Sequence, residues 1–233
     1  TVTVDINSRH VEVTTFRSEG DYADHRHPST VHFVGELTTD LSRRDFTMNA
    51  MALSPDGLLL DPYGGLEDIR RRCIRCVGEA PKRFEEDALR MFRALRFSAR
   101  LDFFIAEDTL AAISQKAPLA SSLAAERVRD EVEKTLLTKK PETVGRMAQL
   151  GLLDVFLTKP GKELPELSAA ASLPKKALDR WMALCLVLTL VNHGGFAPVL
   201  ADAQIPSAIA SHMVFFLLIY SICVLAHQLA GTT

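Results

Sequence analysis

Apolar and polar positions alternate at the start of the chain. Thr1 to Asp5 and His10 to Phe16 carry Val, Thr and Phe at alternate places, with charges on one face. A period of two predicts a pair of strands, here around a turn at Asn7-Ser8-Arg9. Val31 to Val34 predicts a further short extended piece. Arg17 to Ser29 is rich in Asp, His, Arg and Pro and predicts a loop. Thr39 or Asp40 is placed to cap a helix that includes Phe46 to Leu53. Pro55-Asp56-Gly57 predicts a turn, and Leu58-Leu59-Leu60 a short buried strand that runs into Asp61-Pro62.

After Gly64-Gly65 the apolar spacing turns helical. Helices are expected over Leu66 to Arg72, over Phe84 to Arg100 after Pro81, and over Glu107 to Lys116, whose first turn is acidic. Ala124 to Leu137 and Pro141 to Leu150 follow, with more helices from Leu167 onward. Ile74 to Val77 is a short strand in an otherwise helical stretch. The fold class is therefore α+β, a mixed part followed by an all-helical part. No charged residue follows Asp202, and Pro206 to Ala230 is long enough to cross a bilayer, which needs ~20 apolar residues. Histidines near its ends and Ser207, Ser211 and Ser221 interrupt it. A buried helix, or an end truncated inside a helical body, is expected there rather than a membrane span.

The chain has 233 residues, of which 47% are hydrophobic and 24% charged, with a formal net charge of -2. No overall field draws in nucleic acid at that balance. Any RNA contact must rest on a local patch such as Arg70-Arg71-Arg72 with Arg75, Lys82 and Arg83, a run that a solvated surface explains equally well. Cys73-Ile74-Arg75-Cys76 has the spacing of half a zinc site, but no second Cys or His pair stands near it. Two small buried side chains are expected instead, in a reducing cytoplasm. There is no visible signal peptide, and the chain opens on a strand pattern without Met, as a fragment would.

Two dense polar motifs carry the chemistry. Glu86-Asp87-Ala88-Leu89-Arg90-Met91-Phe92-Arg93-Ala94-Leu95-Arg96-Phe97 sets one acid ahead of three arginines, each three residues after the last. On a helix Asp87 and Arg90 would be neighbours on one face. A carboxylate accepts hydrogen bonds and a guanidinium only donates. Such a pair fits cytosine and adenine, which each offer an amino donor beside a ring-nitrogen acceptor. It mismatches uracil and guanine. The second motif, Arg43-Arg44-Asp45-Phe46-Thr47-Met48-Asn49-Ala50, brings further arginines whose planar forks suit phosphate oxygens. Between the two lies Asp61-Pro62-Tyr63-Gly64-Gly65, a tight turn or a joint.

These motifs, in this order, resemble the class II CCA-adding enzymes, bacterial tRNA nucleotidyltransferases related to bacterial poly(A) polymerases. The resemblance runs from about Thr1 to about Leu137. It includes Val11-Glu12-Val13-Thr14-Thr15-Phe16-Arg17, Gly20-Asp21-Tyr22, Asp40-Leu41-Ser42-Arg43-Arg44-Asp45 and Glu126-Arg127-Val128. It implies the later part of a polymerase-β-like palm over 1–62, a helical neck that recognises the base over 63–137, and a truncated helical body over 138–233. It implies that Arg44, Asp87, Arg90, Arg93 and Arg96 bind the nucleotide, with Asp45 and Asn49 in support, and that Glu12 helps catalysis beside a metal pair. The family's Asp-x-Asp metal ligands are expected upstream of residue 1, so no metal ligand is assigned here and this chain alone is expected to be inactive. The implied substrates are CTP and ATP with Mg2+, and the implied partner is a tRNA 3′ end, with no DNA. A poly(A) polymerase, or a relative adding only A or CC, shares these motifs. A non-catalytic nucleotide- or RNA-binding fragment remains an alternative of another class.

Overall fold

The computed structural model describes residues 1–19, 31–154 and a few positions between 171 and 184. The helices expected from Leu167 and the charge-free run Pro206 to Ala230 lie largely or wholly outside the described residues. The chain divides into two compact units, Thr1–Ala124 and Ala125–Thr233.

Strands β1 (Val2–Ile6) and β2 (Arg9–Val13) form an antiparallel hairpin with Val4 opposite Val11. Its two-residue turn needs left-handed backbone at both positions. Asn7 and Ser8 supply it at φ 52 and φ 63. The alternation places Val2, Val4, Ile6, Val11 and Val13 on one face and Thr3, Asp5, His10 and Glu12 on the other, and all of them are exposed. The loop expected from Arg17 begins instead as a strand. β3 (Arg17–Glu19) pairs antiparallel with β4 (Val31–Phe33). A ladder partner outweighs the poor strand propensity of Arg, Ser and Glu.

Helix α1 (Leu37–Ser42) stops at Arg43 and does not continue through Phe46 to Leu53 as expected. The Asp45 carboxylate causes the break by competing with the helix for backbone groups. Its Oδ1 accepts from the Phe46 N–H at 2.9 Å and from Asn49 Nδ2 at 3.0 Å. Phe46 is left extended at φ -127 and ψ 150. It bridges to Cys76, while the Val77 N–H donates to the Asp45 carbonyl at 3.1 Å and the Thr47 N–H to the Arg75 carbonyl at 3.0 Å. A 3-10 turn, Thr47–Asn49, leads into β5 (Ala52–Leu53), which pairs with β6 (Leu59–Leu60) around the expected turn. The leucines of that ribbon are exposed rather than buried, Leu58 by 74%.

Helix α2 (Gly65–Arg70) leads to β7 (Cys73–Ile74). Where one helix was expected over Phe84 to Arg100 there are two, α3 (Ala80–Glu86) and α4 (Leu89–Leu101). The chain is extended at Asp87, φ -146 and ψ 103, and the Asp87 carboxylate accepts from the Leu89 N–H at 3.1 Å. Side-chain capping of a new helix start thus beats continuation of the old one. Helix α4 ends at Asp102, left-handed at φ 58, and β8 (Phe104–Ile105) returns parallel to β7. Helix α5 (Glu107–Lys116) has the bounds read from sequence. The core of this unit gathers Leu41, Phe46, Ile74, Phe84, Met91, Phe92, Leu95 and Ile113, all essentially inaccessible. Each such side chain contributes about 2 kcal/mol on burial. In the second unit, α6 (Ala125–Leu136) and α7 (Thr143–Gln149) fall where Ala124 to Leu137 and Pro141 to Leu150 predict them. Among the described residues no helix is long and apolar enough to cross a membrane.

Candidate functional site

The two arginine motifs meet in the first unit. Asp45, itself buried, spends Oδ1 on its own loop and offers Oδ2 outward. Arg93 of α4 donates to that oxygen through Nε at 2.8 Å and Nη2 at 2.6 Å. Phe46 and Phe97 meet edge to face beneath this pair, with ring centroids 5.9 Å apart. The Arg93 guanidinium carbon lies 5.3 Å from the Phe97 ring centroid and that of Arg96 lies 4.2 Å from it. A cation held over an aromatic face is attracted by the ring quadrupole. Phe97 is therefore a platform for two arginines. Arg93 remains 33% exposed, whereas Arg96 is buried.

Arg90 ties the α3–α4 junction to the same loop. Its Nη1 donates to Glu86 Oε2 at 2.7 Å and to the Arg83 carbonyl at 3.1 Å, and its Nη2 to the Arg43 carbonyl at 2.9 Å. Arg83 also donates to Glu86 and to the Ser42 carbonyl. Among the described residues these bonds use three of the five Arg90 donors. The expectation that Asp87 and Arg90 share the face of one helix is corrected. Asp87 lies between α3 and α4, half-buried, and the helical partner of Arg90 is Glu86, one turn before it. The two stay joined through the backbone, the Arg90 N–H donating to the Asp87 carbonyl at 3.0 Å.

Arg44 and Arg43 converge on Asp40, which is 1% exposed. Arg43 donates to Oδ1 through Nη2 at 2.6 Å, and Arg44 to Oδ2 at 3.1 Å. Burial pushes the Asp40 carboxyl up. The hydrogen bonds from Arg43, Arg44 and the Arg17 N–H outweigh that and hold it below the usual carboxylate range. Asp45, implied as a supporting residue, holds Arg93 and Asn49. Glu12 is exposed opposite Thr3 on the polar face of the hairpin and is not part of this network.

Asp61-Pro62-Tyr63-Gly64-Gly65 forms the corner that carries α2. The Asp61 carboxylate accepts from the Gly65 N–H at 2.7 Å and the Leu66 N–H at 2.9 Å. An acid at a helix start satisfies orphan donors and complements the dipole. Gly64 is left-handed at φ 72. Thr47 Oγ1 donates to the buried Asp68 of α2 at 2.7 Å, so this corner is bonded to the arginine-bearing loop.

The basic run dissolves into separate contacts. Arg70 and Arg71 pair with Glu67, Arg75 with Asp68 and Asp108, and Arg83 turns inward to Glu86. Cys73 and Cys76 are free and buried. Burial pushes the Cys76 thiol up to about 12 and also raises that of Cys73, so both stay protonated at neutral pH. Among the described residues no group of three His, Cys, Asp or Glu side chains could hold a metal ion. The residues in hand do not by themselves fit the Mg2+ site that the resemblance implies. Asp40 and Glu86, which hold Arg43, Arg44 and Arg90, lie inside the quoted motifs, but their pairing with these arginines is set by the fold.

Residues 1–75 match the family described as Poly A polymerase head domain, and residues 102–170 the one described as Probable RNA and SrmB- binding site of polymerase A. A CCA-adding enzyme of Geobacillus stearothermophilus is 46% identical over 201 residues, covering 80% of this chain and 50% of that protein. The chain belongs to the family of CCA-adding enzymes and bacterial poly(A) polymerases. The family likeness extends to structure. The crystal structure of the Bacillus stearothermophilus CCA-adding enzyme in complex with CTP matches 90% of this chain and 51% of its own, with a TM-score of 0.63 and 38% identity. The Thermotoga maritima CCA-adding enzyme complexed with tRNA_CCA matches 57% of this chain and 33% of its own, with a TM-score of 0.51 and 35% identity. The chain spans about half the length of the curated CCA-adding enzymes named for Geobacillus.

Proposed function

We propose that this chain carries the nucleotide-binding and base-reading part of a tRNA nucleotidyltransferase that adds C and A to a tRNA 3′ end from CTP and ATP. The observation that supports it most is the bonding of the α3–α4 junction to the Arg43–Asn49 loop, through Asp45 to Arg93 and through Arg90 to the Arg43 carbonyl. That bonding brings Arg44 and Arg93, read as phosphate contacts, to the same loop and junction as Asp87 and Arg90, read as facing a base edge. Arg44, Arg93 and Arg96 supply cationic surroundings for a triphosphate. Asp45 and Asn49 hold Arg93 and the loop in place. Glu12 is the catalytic candidate, next to a Mg2+ that the resemblance alone implies. These 233 residues contain no Asp-x-Asp pair, and we read this stretch alone as binding nucleotide without transferring it. Residues 1–62 are read as palm, 63–137 as neck and 138–233 as body, in a cytoplasmic enzyme that does not act on DNA. A preference for ATP alone would move the reading to a poly(A) polymerase.

Calorimetric titration with CTP in the presence of Mg2+ tests the phosphate-binding half of this reading. Arg93→Ala removes a charge-assisted contact and is expected to weaken binding on the order of tenfold. Unchanged affinity would contradict the role of Arg93.

A further inference from the structure

Asp40 is the most buried acid in the arginine cluster and is not among the residues assigned to the nucleotide. Three donors converge on one of its oxygens, Oδ1. They are the Arg17 N–H at 3.2 Å, Arg43 Nε at 3.2 Å and Arg43 Nη2 at 2.6 Å. Arg43 Nε also donates to the Arg17 carbonyl at 3.2 Å, so strand β3, the end of α1 and this carboxylate form one closed unit. With Oδ1 fixed in this way, the direction of Oδ2 is fixed too. Arg44 Nη2 bonds to Oδ2 at 3.1 Å, while the Arg44 side chain remains 42% exposed.

That arrangement pins one corner of a guanidinium and leaves its remaining donors open to solvent. A free arginine side chain carries about 2 kcal/mol of rotamer entropy that a ligand must overcome. Fixing it beforehand improves affinity without adding any contact to the ligand. We infer that Asp40 is a positioning residue, which holds Arg44 in the orientation that receives the phosphates of the nucleotide. The inference rests on the reading of Arg44 as a phosphate contact. It also has a sign that a plain electrostatic role lacks. A buried carboxylate beside the phosphate site repels an anion, so as charge alone its removal would tighten binding. As a positioning group its removal weakens binding, and only when Arg44 is present.

The test is a double-mutant cycle on CTP affinity in the 233-residue chain with Mg2+, over Asp40→Asn, Arg44→Ala and the pair. Double-mutant cycles isolate such coupling. The expected result is that each single substitution weakens CTP binding about tenfold and that Asp40→Asn adds nothing in the Arg44→Ala background. Equal weakening by Asp40→Asn in both backgrounds, or tighter binding, overturns the inference while leaving the Arg44 reading intact. No effect of Arg44→Ala overturns that reading and the inference with it. Because Asp40→Asn removes a buried charge and threatens folding, a second measurement uses the unsubstituted chain. Arginine side-chain 15N spectra, with Arg44 assigned through Arg44→Lys, should show resolved and slowly rotating Arg44 Nη groups before nucleotide is added. A freely rotating Arg44 guanidinium in the nucleotide-free protein overturns the inference.

Discussion

Gly65→Ala is expected to destabilise the first unit by about 3 kcal/mol and to weaken nucleotide binding with it, the first effect read from thermal melting. A Cβ at Gly65 would stand 2.2 Å from the Thr47 carbonyl oxygen, 2.8 Å from its carbon and 3.0 Å from Met51 Cγ. A flexible side-chain tip could swing away, but the Thr47 backbone cannot. Its N–H is bonded to Arg75, its carbonyl to the Ala50 N–H, and its hydroxyl to Asp68. Relief would require α2 and the 3-10 turn to part, and that turn follows directly from Asp45, the anchor of Arg93. Gly35→Ala is the control. Nothing lies within 4 Å of its Cβ position, and a change within about 0.5 kcal/mol is expected. Equal melting of the Gly65 variant and the parent would mean that the corner is looser than its geometry indicates.

Arg90→Ala should cost about 3 kcal/mol, because removing one partner of a buried ion pair strands the other. Arg90 is 8% exposed. It serves Glu86 and the Arg83 and Arg43 carbonyls at once. Glu86 retains Arg83, which keeps the loss below that of a fully orphaned acid. Arg90→Lys should recover only part of the stability. An ammonium group restores the charge but not the planar fork that reaches three acceptors. Urea denaturation of both variants measures this, and full recovery with lysine would show that charge alone matters at this position.

Much of the fold was legible because local rules and tertiary contacts agree there. The β1–β2 hairpin combines alternation with Asn7 and Ser8 at its turn, and α5 has an acidic first turn and a Lys at its end. The two misread helices share one cause. Phe46, Ala50 and Leu53 repeat at helical spacing, and so do Phe84, Met91 and Leu95, with no Gly or Pro between the members of either set. The breaks come from Asp45 and Asp87, whose carboxylates bond the Phe46 and Leu89 backbones. An aspartate inside an apolar period can sit quietly on a helix or terminate it, and the pattern around it does not tell which. The arginines of the site were visible as a run, and Asp40, Asp45 and Glu86 stood in the same motifs. Which acid holds which arginine was not visible, since Asp40 takes Arg43 and Arg44, Asp45 takes Arg93 and Glu86 takes Arg90 only once the chain has folded. Leu58 to Leu60 read as buried because three leucines in a row usually are, yet their ribbon is open to solvent.

Base reading by Asp87 and Arg90 is the central claim, and calorimetric binding of CTP, ATP, UTP and GTP with Mg2+ to this chain and to Asp87→Ala tests it most directly. The parent is expected to bind CTP and ATP at least about tenfold more tightly than UTP and GTP, since a mismatched edge leaves buried polar groups unpaired. Asp87→Ala is expected to level the four. Equal affinity for all four in the parent, or a preference that survives in Asp87→Ala, would contradict it.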